Sequence, residues 1–238
     1  MEERVVERLD LGGVNAWLVK GTAGWVLFDT GGHLVMDRDF DGRRDILRGE
    51  LEQAGCRPDD LRLIVLTHGD VDHGGNAAWL RETYGAPVAL HPGDRPLVEQ
   101  PGVEEMMESF HYRSPLMRLF FRLMKRTIQR VMEKTRADFT PFTPDVALLE
   151  GMSLAEYGLE GELIYLPGHT PGSVGYRLSD GTLIAGDTLV NNGHPSPAPN
   201  AWDFERLDDS IRRLSSKDIR RVCPGHGAPF DWREYRRK

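Results

Sequence analysis

Thr67-His68-Gly69-Asp70-Val71-Asp72-His73-Gly74-Gly75-Asn76 is the stretch whose reading decides the fold of this 238-residue chain. His68, Asp70, Asp72 and His73 put four side chains able to bind a metal within six positions. Imidazole nitrogens and carboxylate oxygens suit zinc, iron or manganese, and crowding them together makes sense where a cation offsets their repulsion. The competing reading is a polar turn that caps a helix, a task Asp72 or Asn76 could perform alone. An apolar run at 61–66 precedes the cluster and a helix-compatible segment at 76–84 follows it. The cluster is therefore expected in a loop where a strand ends, the place where open sheets carry their chemistry.

Three more candidate ligands stand in glycine-bearing turns, each after an apolar, strand-like run: Pro167-Gly168-His169-Thr170, Ala185-Gly186-Asp187-Thr188 and Pro224-Gly225-His226-Gly227. With the openings Asn15-Ala16-Trp17-Leu18-Val19 and Leu27-Phe28-Asp29-Thr30-Gly31-Gly32, these segments in this order and at these separations resemble the metallo-β-lactamase superfamily over most of the chain. Each piece alone is weak and the joint pattern is specific. The family motif is His-x-His-x-Asp-His, and Asp70 stands where its second His is usual.

The resemblance implies an α+β fold, a four-layer αββα metallo-β-lactamase sandwich, and two divalent metal ions, zinc first with iron or manganese as alternatives. Carried over position by position, it assigns His68, Asp70 and His169 to metal 1, Asp72, His73 and His226 to metal 2, and Asp187 as the bridge. Asp29 would orient the metal loop, or else only cap its own turn. Two cations about 3.5–4 Å apart can share a water, lower its pKa toward neutrality and polarise a substrate oxygen. No nucleophilic Ser or Cys is then required, and Asp72 or His226 would carry the proton to the leaving group. Asp70 adds a negative charge and a harder donor than imidazole, which tilts metal 1 toward iron or manganese. Asp is also shorter than His by about one ring, so a dinuclear site, metal 2 alone and a mixed-metal pair all stay open.

Composition narrows the function. A formal charge of -7 disfavours nucleic acid as a partner, because a phosphate backbone attracts basic surfaces. Cys56 and Cys223 form no CxxC pair and indicate neither a disulfide framework nor a thiolate zinc site; Cys223 reads as a buried, inert thiol. The start, Met1-Glu2-Glu3-Arg4, lacks an apolar signal core, and no run approaches about 18 apolar residues. These features lead us to expect a cytoplasmic protein with no stable membrane insertion. The length fits one large domain, 1–238, the size the resemblance implies.

Alternating and apolar runs predict strands at 5–11, 16–20, 25–29, 61–66, 87–90, 146–149, 163–166, 173–178, 182–185 and 220–222. Helices are expected at 43–54, 77–84 and 204–214, with a loop at 191–200 and a surface tail at 233–238. His33 and His194 read as solvated side chains that could instead face the site. Residues 93–140 depart from this pattern. Met117, Phe120, Phe121, Met124, Ile128 and Val131 follow helical spacing, with Arg113, Arg118, Arg122, Lys125, Arg126 and Arg130 between them. We read a helical cap insertion over the cleft with three competing uses: packing on its own domain, a homodimer or membrane-surface contact, and a wall of the substrate pocket.

The leading expectation is a metallo-hydrolase that directs a metal-bound hydroxide at an ester, lactone or thioester, a small-molecule substrate with a hydrophobic or acyl-chain part. The alternatives are an iron-dependent oxygenase of the persulfide dioxygenase type, for which His68, His169 and Asp187 would hold a single iron, and a catalytically silent metal-binding member.

Overall fold

A computed structural model describes residues 5–34, 42–107 and 111–236. The first half runs β1 (Val6–Asp10), β2 (Asn15–Lys20), β3 (Trp25–Phe28), α1 (Arg43–Gln53), β4 (Leu61–Val65), α2 (Val71–Gly74), α3 (Ala77–Tyr84) and β5 (Val88–Leu90). The insertion follows as α4 (Arg95–Glu99), α5 (Val103–Met106), β6 (His111–Tyr112) and α6 (Pro115–Asp138). The second half comprises β7 (Val146–Ala147), β8 (Gly161–Tyr165), β9 (Val174–Leu178), β10 (Thr182–Gly186), β11 (Leu189–Asn191), β12 (Pro195–Pro197) and β13 (Asn200–Ala201). It closes with α7 (Phe204–Leu214), β14 (Arg221–Pro224), β15 (Phe230–Asp231) and α8 (Trp232–Arg236).

Two large sheets result, ordered β1-β2-β3-β4-β5-β7 and β15-β14-β10-β9-β8, beside two short two-stranded pairs. Their inner strands are apolar on both faces, and the side-chain period of two divides each of these strands between two cores. Trp17, Val26, Phe28, Leu63 and Val65 of the first sheet meet Leu163, Val174, Tyr176, Ile184 and Cys223 of the second. The alternate residues Leu18, Leu27 and Ile64 face the helical layer of Leu47, Leu51 and Leu80. On the other side Ile164, Leu183 and Val222 pack on Leu207, Ile211 and Leu214 of α7. This is the expected αββα order. The strands β8, β10 and β14 run in one direction, so their C-terminal turns gather at one edge of the second sheet.

Three elements differ from the sequence reading. The 191–200 loop contains short strands, β11 pairing with β12, and β13 with β6 of the insertion. The basic tail is mostly the helix α8, held by Trp232, which is buried and stacks on Tyr235. The helix α6 leaves the domain at its N-terminal half. Ile128 and Met132 are buried and Phe121, Met124 and Val131 pack beside them, whereas Met117 and Phe120, expected on the same stripe, are exposed.

Candidate metal centre

The turn after β4 answers the capping alternative directly. Of the two capping candidates, Asp72 lies inside the first turn of α2, whose N-cap is Asp70, and Asn76 is the N-cap of α3, yet neither N-cap residue makes a side-chain cap hydrogen bond. Asn76 instead donates through its amide to the Thr30 carbonyl, holding the β3 turn against the metal loop. The Asp70 carboxylate turns toward the histidines: Oδ2 lies 3.2 Å from His169 Nε2 and 3.8 Å from His68 Nε2. Asp, although shorter than the His it replaces, reaches this donor group.

All seven sequence-selected residues meet at the sheet edge. Donor atoms of His68, Asp70 and His169 lie within 4.8 Å of one another, and so do those of Asp72, His73 and His226. These are the two sets expected for metals 1 and 2. Within the second set, His226 Nε2 is 3.4 Å from Asp72 Oδ2 and 3.4 Å from His73 Nε2. Asp187 stands between the sets: Oδ2 is 3.1 Å from His226 Nε2 and 3.8 Å from His169 Nε2, and Oδ1 is 3.3 Å from His73 Nε2. Gly225 makes this approach feasible, since a Cβ there would collide with Asp187 Oδ1 and His73.

The donor set fits divalent cations. His68 Nε2 and Asp187 Oδ1 are buried polar atoms with no hydrogen-bond partner among the described residues, an arrangement that costs free energy unless a ligand completes it. Each imidazole is also aimed by its far nitrogen, which fixes the tautomer and leaves Nε2 facing the centre. His169 Nδ1 donates to the Asn200 carbonyl at 3.1 Å, and His226 Nδ1 to the Gly13 carbonyl at 2.6 Å. His73 Nδ1 donates to Asp29 Oδ2 at 2.9 Å. Thr67 Oγ1 donates to that same oxygen at 2.8 Å, and so must accept from His68 Nδ1, 3.0 Å away. Asp29 thus anchors two ligands at once, and its Oδ1 also accepts from the Thr67 backbone N–H at 2.7 Å. Its φ of 62° is the left-handed value seen at no other non-glycine residue among those described, a local strain that a functional position can hold.

Charge pairing shapes the protonation of the cluster. Burial opposes the charged form of His169, but Asp70 and Asp187 outweigh it and hold the group at about 9. Burial is likewise overcome at His226, which Asp187 and Asp72 raise to about 11. His68 is pushed well below the usual imidazole value by burial and by the neighbouring His73 and His169. Asp187 stays well below the usual carboxylate range despite burial, because His226 and His73 face it. His68 is therefore ready to ligate, whereas a cation must displace protons from His169 and His226.

Asp94 is a contributor that sequence reasoning missed. Fully buried, it accepts from Gly69 N at 2.8 Å, Thr170 Oγ1 at 2.6 Å and Gly172 N at 2.5 Å. It therefore ties the His68–Asp70 turn to the His169 turn, and burial raises its carboxyl to about 6. The only sequence signal was an Asp in a turn after an apolar strand. Of the histidines left open, His33 lines the cavity beside the centre and contacts Asp138 of α6, whereas His194 is exposed and outside that cavity. Cys223 is buried, and that burial pushes its thiol up to about 12, which keeps it inert at neutral pH.

The cavity, of about 370 Å³, has a polar floor of Asp70, Asp72, His169, Asp187 and His226. Its walls are apolar, with Leu34, Leu97, Met106, Tyr112, Met132 and Val190. Met132 and Thr135 come from the C-terminal half of α6, so the cap both packs on the domain and walls the cavity.

Known proteins agree with this architecture. Residues 9–226 match the model of the metallo-beta-lactamase superfamily. The probable metallo-hydrolase YqjP of Bacillus subtilis is 26% identical over 95% of this chain and 71% of its own length. The hydroxyacylglutathione hydrolase GloC of Haemophilus influenzae is 28% identical over 71% of this chain and 70% of its own. The crystal structure of TTHA1623 in a di-iron-bound form superposes with a TM-score of 0.63 at 30% identity, covering 94% of this chain and 92% of that one. Fold, motif order and family match together show that this chain belongs to the metallo-β-lactamase superfamily, as one of its metallo-hydrolases.

Proposed function

We propose that this protein hydrolyses an ester, lactone or thioester bearing a compact apolar acyl group, using two divalent cations. The observation that carries the reading is the cavity, in which a floor of five of the seven convergent donors meets a wall of Met, Leu and Val side chains. When bound, the cations would lower the pKa of water toward neutrality and polarise the substrate oxygen. His68, Asp70 and His169 would hold one, Asp72, His73 and His226 the other, with Asp187 shared. Zinc, iron and manganese all suit these donors; the Asp70 carboxylate favours iron or manganese over zinc at metal 1, and the di-iron form of TTHA1623 supports that preference.

The remaining steps fall to the chain itself. Leu97, Met106 and Met132 shield the acyl group from water, and adaptable methionines accept differing chain shapes. Tyr112 lines the same wall, and burial raises its phenol to about 12, so its hydroxyl remains a hydrogen-bond donor to substrate at neutral pH. Asp72 has the most exposed side chain of the seven, 24%, which supports it as the group that returns a proton to the leaving atom. His226, next at 19%, would hold metal 2 through Nε2 while its Nδ1 donates to the Gly13 carbonyl, which leaves neither nitrogen for that role. The name of GloC denotes hydrolysis of an acyl-glutathione, consistent with a thioester among the substrates. Two unpaired, buried thiols suit a reducing, cytoplasmic setting.

The test is a panel of acyl thioesters, lactones and aryl esters of increasing chain length, with acid release followed on metal-loaded protein under nitrogen and under air. The reading expects equal rates in both atmospheres and a preference for apolar acyl groups that the cavity can enclose. Oxygen consumption on a persulfide substrate, without acid release from any acyl compound, would replace it with the oxygenase reading.

A further inference from the structure

The N-terminal half of α6 carries an apolar strip that is left exposed among the described residues. Of the eight large hydrophobic side chains exposed among the described residues, five lie on this one helix, so the strip is a concentrated feature rather than scattered surface. Leu116 is 74% exposed, Leu119 54%, Phe120 51% and Leu123 76%. Their spacing of i, i+3, i+4, i+7 makes one stripe, on a different side of the helix from Phe121, Met124, Ile128 and Met132, which pack on the core. Further along, the same line of the helix turns basic, as Arg126, Arg130 and Lys134. Arg122 flanks this line, and Arg118 and Lys125 stand on the far side of the helix from the strip. All six cations are exposed, and none pairs with a carboxylate among the described residues. The helix holds seven basic residues against two acidic ones in a chain of net charge -7.

We propose that α6 seats this protein on an anionic phospholipid bilayer. Leu116, Leu119, Phe120 and Leu123 would enter the boundary between headgroups and acyl chains, while the arginines and lysines that follow them pair with phosphates. Among the described residues no helix is long and apolar enough to cross a membrane, and the proposed contact lies along the surface. A second copy of this chain fits the strip less well, because docking two such helices would bring unneutralised cations of one sign together. The inference stands apart from the hydrolase reading, since binding needs no turnover. It has a consequence for that reading all the same: the helix that meets the lipid also walls the cavity through Met132 and Thr135.

Flotation of the full chain with vesicles tests this. Vesicles of phosphatidylcholine mixed with phosphatidylglycerol should retain the protein at least roughly ten-fold better than pure phosphatidylcholine, and retention should fall as salt rises. The double variant Leu119→Glu/Leu123→Glu should lose binding while keeping the parent circular dichroism and metal content, since both side chains are exposed. Arg122→Glu/Arg126→Glu should weaken binding to the mixed vesicles in the same way. Absence of retention on the mixed vesicles, equal retention on the neutral ones, or a stable dimer in sedimentation equilibrium that Leu123→Glu dissociates would each overturn the proposal.

Discussion

Replacing Asp29 by Asn would keep the shape of the side chain, and Asn, like Asp, tolerates the left-handed backbone at this position. What changes is the hydrogen bonding. The Thr67 backbone N–H can only donate, so the amide oxygen must take the Oδ1 place, and the NH2 group is left facing His73 Nδ1 and Thr67 Oγ1. An NH2 that donates to His73 forces the proton of that ring onto Nε2, the atom aimed at metal 2. Thr67 then has its hydroxyl hydrogen free for His68 Nδ1, which drives His68 to the same wrong tautomer at metal 1. Restoring the ligating tautomer would set donor against donor in a buried site, at roughly 1–3 kcal/mol. The expected loss of metal affinity is about 10- to 100-fold, greater at metal 2 because His73 meets the amide directly. Competition with a chromogenic chelator measures it, and a thermal melt of the chelated protein checks that the fold is kept. An Asn variant that binds both cations within about three-fold of the parent would refute the tautomer argument.

Other consequences follow from the same geometry. Asp94→Ala unties Gly69, Thr170 and Gly172, so it should release metal 1 and spare metal 2; elemental analysis of the dialysed variant should find one cation per chain fewer than in the parent. Asp70→His removes a carboxylate from metal 1 and should raise the ratio of zinc to iron in protein grown with both metals. Since His169 and His226 are raised to about 9 and 11, cations compete with protons there, and apparent metal affinity should climb with pH from 6 to 9, a trend isothermal titration can follow. For the metal-free protein the sign is opposite. The stability that protonated His169 contributes is fully present below its ordinary value of 6.5 and is lost as pH rises through about 9, which urea unfolding across that range should show.

The seven donors were legible because each belongs to a short turn that ends an apolar run, and a strand's C-terminal end is where a sheet presents side chains. The reach of Asp70 was not legible, since it depends on how near the His169 turn comes, a distance that the packing of two sheets decides. Asp94 carries no spacing signal for a different reason. Its partners are two backbone N–H groups and a hydroxyl, 25 to 78 residues away, and backbone donors leave no mark on composition. Periodicity showed that α6 is amphipathic, yet it gave one stripe where the helix has two, because the pattern cannot say where a helix outruns the surface beneath it. The closing helix went unseen because its basic residues read as a solvated tail, whereas the single buried Trp232 is what pins it.

The most direct test of the central claim is the metal content of the protein, purified without chelator and set beside His169→Ala and His73→Ala. The two-cation account requires close to two divalent ions per chain in the parent and a loss in each variant, from metal 1 in the first and metal 2 in the second. A parent that holds a single ion, retained by one variant and wholly lost by the other, would contradict it and leave only one of the two donor groups as a metal site.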